Sequence, residues 1–161
     1  MHSFTLPQEA SIVQLLNPAA DAAGRTGAYV TCKNARKAYI VVHITQGNAA
    51  TIALTINQAK TVAGGSAKAI TVPVRIWADL DEATTDALVE QTAAVSFTTD
   101  AAVKNKIIVF EVNPAELDQA NGFRCITVIT GASNVANITA AVAYLTPLQL
   151  AAAPPPSAIV D

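Results

Sequence analysis

Aliphatic and small polar residues alternate through most of this chain. In "KAYIVVHIT", Ile40, Val42 and Ile44 share one side, while Tyr39, Val41, His43 and Thr45 share the other. After Gly47-Asn48 comes "ATIALTIN", whose Ile52, Leu54 and Ile56 alternate with Ala53, Thr55 and Asn57. A period of two predicts half-buried strands, and the glycine–asparagine step between them predicts a hairpin. "AITVPVRIW" repeats the pattern, with Ile70, Val72, Val74 and Ile76 inward and Thr71, Pro73, Arg75 and Trp77 outward. Pro73 cannot donate to a sheet ladder, so this strand is expected at an edge, with Trp77 as a candidate interaction residue. "NKIIVFEV" places Ile108, Phe110 and Val112 on one face. "FRCITVIT" and "ANITAAVAYLT" suggest a final hairpin, with Ile138, Ala140, Val142 and Tyr144 inward and Thr139, Ala141 and Ala143 outward.

Helical signals are few. "DLDEATTDALVEQT" (79–92) crowds acids at its start and places Leu80, Ala83, Ala87 and Leu88 on one stripe, which predicts a short helix weakened by its threonines. In "NPAELDQANG", Asn113 can cap, Pro114 suits a first helical position and Gly122 can end the turn. About seven or eight strands with at most two short helices favour an all-β, antiparallel β-sandwich or jelly-roll-like domain. The expected organisation is an N-terminal arm over 1–24, in which "SIVQLL" fits either a strand or a helical turn. The β-sandwich follows over 25–148, and then a proline-rich tail over 149–161. Pro154, Pro155 and Pro156 should hold that tail extended along the surface or onto a neighbour, as further candidate interaction residues.

Composition sharpens the functional question. The 161 residues are 52% hydrophobic and only 14% charged, where about 25% charged is usual. A net charge of -2 gives no electrostatic reason to expect nucleic acid or an anionic membrane as partner. The compact basic cluster Lys33, Arg36 and Lys37 fits a solvated turn. The start of the chain does not resemble a secretory signal, and the charge-free stretch 125–145 is broken by Gly131, Asn134 and Asn137. Cys32 and Cys125 are expected to be buried free thiols.

No catalytic set stands out. His2 and His43 are the only histidines, and no cysteine–histidine cluster or HExxH motif suggests zinc. Ser66 lies in "GGSAK", outside any nucleophile-elbow or phosphate-loop pattern. Asp79, Asp81, Glu82 and Asp86 lack the central glycine of a calcium loop. The expectation is a protein that is not an enzyme and has no cofactor. Weakly polar strand faces instead suit close contact with other subunits, because little charge must be desolvated.

The run from "KAYIVVHITQGNAATIALTINQAKTVAG" through "IWADLDEATTDALVEQ" and "NKIIVFEVNPAELD" to "GFRCITVITGASNVANITAAVAYLTPL" resembles small virion structural proteins of tailed bacteriophages. That resemblance covers most of 37–148 and transfers no catalytic residue. It implies a capsid decoration, or cement, protein on the head surface, assembled in the host cytoplasm. Its expected partner is the major capsid protein lattice, bound as a homo-oligomer that threefold lattice positions suggest to be a trimer. A tail, collar or head-spike component is the alternative, followed by a carbohydrate-binding β-sandwich.

Overall fold

The computed structural model describes residues 5–148 and 156–161. Two antiparallel sheets face each other across an aliphatic core, giving the all-β sandwich that the alternation predicts. The strands in chain order are β1 (Ser11–Ala20), β2 (Arg25–Thr26), β3 (Val30–Thr31), β4 (Ala35–Gln46), β5 (Ala53–Ala59) and β6 (Lys68–Ala69). After them come β7 (Val74–Asp79), β8 (Val89–Ala94), β9 (Ser96–Thr98), β10 (Asn105–Val112), β11 (Cys125–Thr130) and β12 (Asn137–Pro147). The first sheet runs β1-β12-β4-β10-β7-β8. The second is built on β11 and β5, with β2 and β3 along β11, and β6 and β9 along β5.

Ile40, Ile44, Ile52, Leu54, Ile56, Ile76, Ile108, Phe110 and Ile126 are fully buried between the sheets. Burial of each such side chain stabilises the fold by roughly 1.5–3 kcal/mol. β-branched residues dominate this list, which suits pleated strands and explains how so few aromatics fill the core.

Both expected hairpins are instead crossings between sheets. β4 belongs to the first sheet and β5 to the second; likewise β11 and β12 lie in opposite sheets. Alternation establishes that each segment is a strand, but not which neighbour it pairs with. Gly47 fits the crossing because a Cβ there would lie 2.5 Å from the Ala136 carbonyl oxygen. The expected faces of β12 are also inverted: Asn137, Thr139, Ala141, Ala143 and Leu145 are buried, while Ile138 is 41% exposed. Hydropathy favoured the larger residues for the interior. However, small side chains fit beneath β12, and Thr139 satisfies its hydroxyl on buried Asp21.

The arm expected over 1–24 contains β1, which pairs with β12 at the edge of the first sheet. Shifts in register at Gln14/Leu16 and Leu16/Ala19 break its alternation and let Leu15 and Leu16 both be buried. Pro18 is tolerated there because an edge strand has free donor positions. Pro73 precedes β7 rather than interrupting it, and β7 is an interior strand between β10 and β8. Val72 consequently falls outside the strand and is 39% exposed.

The helix expected over 79–92 does not form. Asp79 ends β7 and its Oδ1 accepts from the Asp81 backbone N–H at 3.0 Å. A turn at 81–85 follows, and Val89–Ala94 pairs with β7 as an edge strand. The aspartates therefore terminate a strand instead of starting a helix, consistent with their ability to compete for local backbone donors. Among the described residues, helix is confined to α1 (Leu6–Glu9) and two 3-10 turns at Pro114–Glu116 and Gln119–Asn121. Asn113 caps the first of these turns, and Gly122, at φ 83°, ends the second.

Candidate functional site

The solvent side of the first sheet carries a continuous weakly polar surface. Register places Gln14, Val142, Val41, Val109 and Trp77 side by side across β1, β12, β4, β10 and β7. The row beside it contains Ile12, Tyr144 and Tyr39, then Glu111 and Arg75. The two tyrosines, three valines and Trp77 are half-buried. α1 lies over one part of this face, leaving a groove of about 400 Å³ lined by Leu6, Ala10, Tyr39, Val41, Val109 and Tyr144, among others.

Charged pairs frame the apolar rows. Lys37 Nζ lies 2.6 Å from Glu111, Arg75 lies 3.6 Å from Glu111, and Arg75 Nε lies 2.9 Å from Glu90. The Arg75 guanidinium also sits 4.9 Å from the centre of the Trp77 ring. Hydrogen bonding to Glu90 raises the pKa of Arg75, so its charge is held at every relevant pH. On the other flank, His43 Nε2 lies 3.3 Å from Glu82 Oε1. An apolar centre with a polar rim is the arrangement that protein interfaces use.

The structure thus places Trp77 in this face, although in an interior strand. Pro154 and Pro155 lie outside the described residues. Pro156 is exposed, and the residues after it return to their own domain: Ala158 is buried and accepts from the Thr31 N–H at 2.8 Å. Asp161 Oδ1 accepts from the Val62 N–H at 3.0 Å. Sequence reasoning did not identify Val109, Val142 and Tyr144 as parts of one surface. Val109 carries the period-two signal, but hydropathy places Val142 and Tyr144 on the inward face of β12, and the pairing of β12 with β4 is not local.

The cysteines are both buried and free. Burial, reinforced by the neighbouring Cys125 thiol, pushes Cys32 up to about 12, and burial also raises Cys125. Neither thiol is therefore poised as a nucleophile. Both should react with a thiol reagent only after denaturation, which a timed count of free thiols would check. Rapid labelling of the native protein would contradict this. Because folding raises the Cys32 pKa, its contribution to stability is complete below the ordinary 9.0 and is lost as pH rises towards 12.

A second feature lies at the end of the sandwich where β4 begins and β10 finishes. A cavity of about 480 Å³ there has Pro114, Leu117 and Phe123 in its lining, together with Lys33, Arg36 and Arg124. Lys60 and Lys68 lie over the Phe123 ring, at 5.4 and 4.2 Å from its centre. The sequence cluster Lys33, Arg36 and Lys37 is thus divided, with Lys37 turned to the sheet face and the other two at the cavity.

No protein-family model matches this chain, and no curated protein matches it. Among solved structures it is similar to the SPBc2 prophage-derived protein YomS, with 11% identity and a TM-score of 0.50. That likeness spans 91% of this chain and all of YomS, and it shows a shared fold. A match to Desmodium yellow mottle tymovirus has 10% identity over 95% of this chain and 90% of the other. Its TM-score of 0.18 is too low to support an argument.

Proposed function

We propose that this chain is a structural protein of a tailed-phage virion that decorates the head, docking on the capsid lattice through the outer face of its first sheet. The observation that carries the reading is the apolar row Val142–Val41–Val109–Trp77, laid across consecutive strands and framed by ion pairs. Such a face is rigid before binding, so little entropy is lost in ordering it. Its prophage-derived structural neighbour supports the phage setting. An assembled shell presents several adjoining subunits at once and so favours attachment over free capsid subunits.

Cryo-electron microscopy of native particles with a copy count tests the location. Density repeated over the head is expected; density confined to the portal vertex, collar or tail would replace decoration with a neck or tail role. Val41→Lys/Val109→Lys tests the face. It should weaken shell binding by about thirtyfold or more, the scale of losing a central hot spot of ~2 kcal/mol. A folded variant that binds shells as well as the parent would remove this face from the interface.

A further inference from the structure

We propose that copies of this chain associate head to tail, with the acidic loop over residues 80–88 of one copy seated in the basic cavity of the next. This contact is independent of whether a phage shell is the partner. It starts from a separation of charge along the sandwich. At one end, Lys33, Arg36, Lys60, Lys68 and Arg124 outnumber Glu116, Asp118 and Asp161. At the other, where β7 ends and β10 begins, Asp79, Asp81, Glu82, Asp86 and Asp100 outnumber Lys104 and Lys106.

These excesses cannot neutralise one another within a single molecule. The twelve residues of β4 run from the basic end to the acidic end, ~37 Å at ~3.4 Å per residue. That distance far exceeds the Debye length of ~8 Å at physiological salt. Moreover, among the described residues, Lys33, Arg36, Lys60 and Arg124 have no carboxylate partner, and all four cluster at or beside the cavity. The opposite loop presents Asp86, also without a cation, and Leu88, which is 43% exposed. A carboxylate and an apolar side chain two residues apart match a cavity in which cations rim Leu117 and Phe123.

Charge also selects the geometry. Pairing like ends would oppose charges of the same sign, whereas a head-to-tail contact joins opposite ones. The interface is consequently heterologous, using a different patch on each copy. The cavity's apolar lining and the molecule's net negative charge favour an acidic protein loop over a nucleic acid in this position.

Sedimentation equilibrium of the full chain provides the test. Self-association is expected in about 20 mM NaCl and should weaken by about tenfold or more in about 500 mM. Arg36→Glu/Arg124→Glu destroys the cavity end only, and Asp86→Ser/Leu88→Ser, which removes the loop's charge without reversing it, destroys the loop end only. Each variant alone should be monomeric. Mixed in equal amounts, they should form a one-to-one dimer and nothing larger, because one intact cavity then meets one intact loop. Lys33→Glu/Lys60→Glu provides a second cavity-end variant, and far-ultraviolet circular dichroism establishes that each is folded. A wild-type chain that stays monomeric at low salt would overturn the proposal. So would single-end variants that still associate, or a mixture that remains monomeric.

Discussion

Asp21→Ala should lower the stability of the protein by about 4 kcal/mol, the scale of removing one partner from a buried ionic network. Asp21 is fully buried just after β1. Its Oδ1 accepts from Arg25 Nε at 2.9 Å and from Thr130 Oγ1 at 2.9 Å, while Oδ2 accepts from Thr139 Oγ1. Its backbone carbonyl accepts from the Ser133 N–H, and its own N–H donates to the Asn137 carbonyl. Arg25 in turn donates to the carbonyls of Asn17, Ala19 and Thr139. One carboxylate therefore ties β1 and β12 of the first sheet to β2 and β11 of the second. Removing it leaves two buried hydroxyls without their acceptor and Arg25 without its counter-charge. Thermal unfolding should shift down by roughly 8–16 °C. Asp21→Asn, which keeps one acceptor oxygen, should cost about half as much. A loss below about 1 kcal/mol for Asp21→Ala would show that the sheets are joined without this network.

The second large effect belongs to Lys106→Met, with an expected loss of about 3 kcal/mol. Lys106 occupies an inward position of β10 beside Ile108 and is completely buried. Its ammonium donates to Gln46 Oε1 at 2.7 Å, Asp100 Oδ1 at 2.8 Å and the Ala102 carbonyl at 2.7 Å. All three donors are thereby used, and the loop from β9 to β10 is held over the end of the core. Methionine fills the volume of the stem but strands the Gln46 and Ala102 oxygens. Asp100 is half exposed, so water screens its part in the pair, and most of the cost falls on the other two acceptors.

The same pair gives a pH signature. The hydrogen bond from Lys106 is the main reason that the Asp100 pKa lies below its ordinary 3.8. A carboxylate with a depressed folded pKa stabilises the native state above its unfolded value. That stabilisation is lost as pH falls through the folded value. The stability gap between wild type and Lys106→Met should therefore narrow below about pH 4. A gap that stays constant down to pH 2 would mean that Asp100 contributes nothing through this pair.

Strand identity was legible in the sequence wherever one face is aliphatic throughout. Ile40, Val42 and Ile44 lie inside as their spacing requires, as do Ile52, Leu54 and Ile56. Pairing was not legible, because Gly47-Asn48 permits a tight reversal within one sheet or a step into the other. The inward face of β12 is the opposite of the one its hydropathy predicts, because it contains Thr139, Ala141 and Ala143, whose small size matters more here than hydropathy. Lys106 and Asp21 each have nearby partners, Asp100 and Ala102 for the first and Arg25 for the second, but the contacts that join separate strands lie up to 60 and 118 residues away, so no single stretch shows either network. The outer apolar face was visible only in fragments, as Tyr39, Val41 and Trp77. Its continuity depends on β10 and β12 flanking β4, which no single stretch of sequence encodes.

The placement of β12 between β1 and β4 also imposes an order on biosynthesis. β4 spans Ala35–Gln46, but one of its two neighbours is not encoded until Asn137–Pro147. At ~5–20 residues per second, translation of the intervening ~90 residues occupies roughly 5–20 s. During that interval the nascent β1 has no partner strand, and one flank of β4 lacks its ladder. Those edges are templates for mispairing between neighbouring nascent chains. Yield in the host should consequently depend on temperature and on ribosome spacing along the message, even where the finished fold is unchanged.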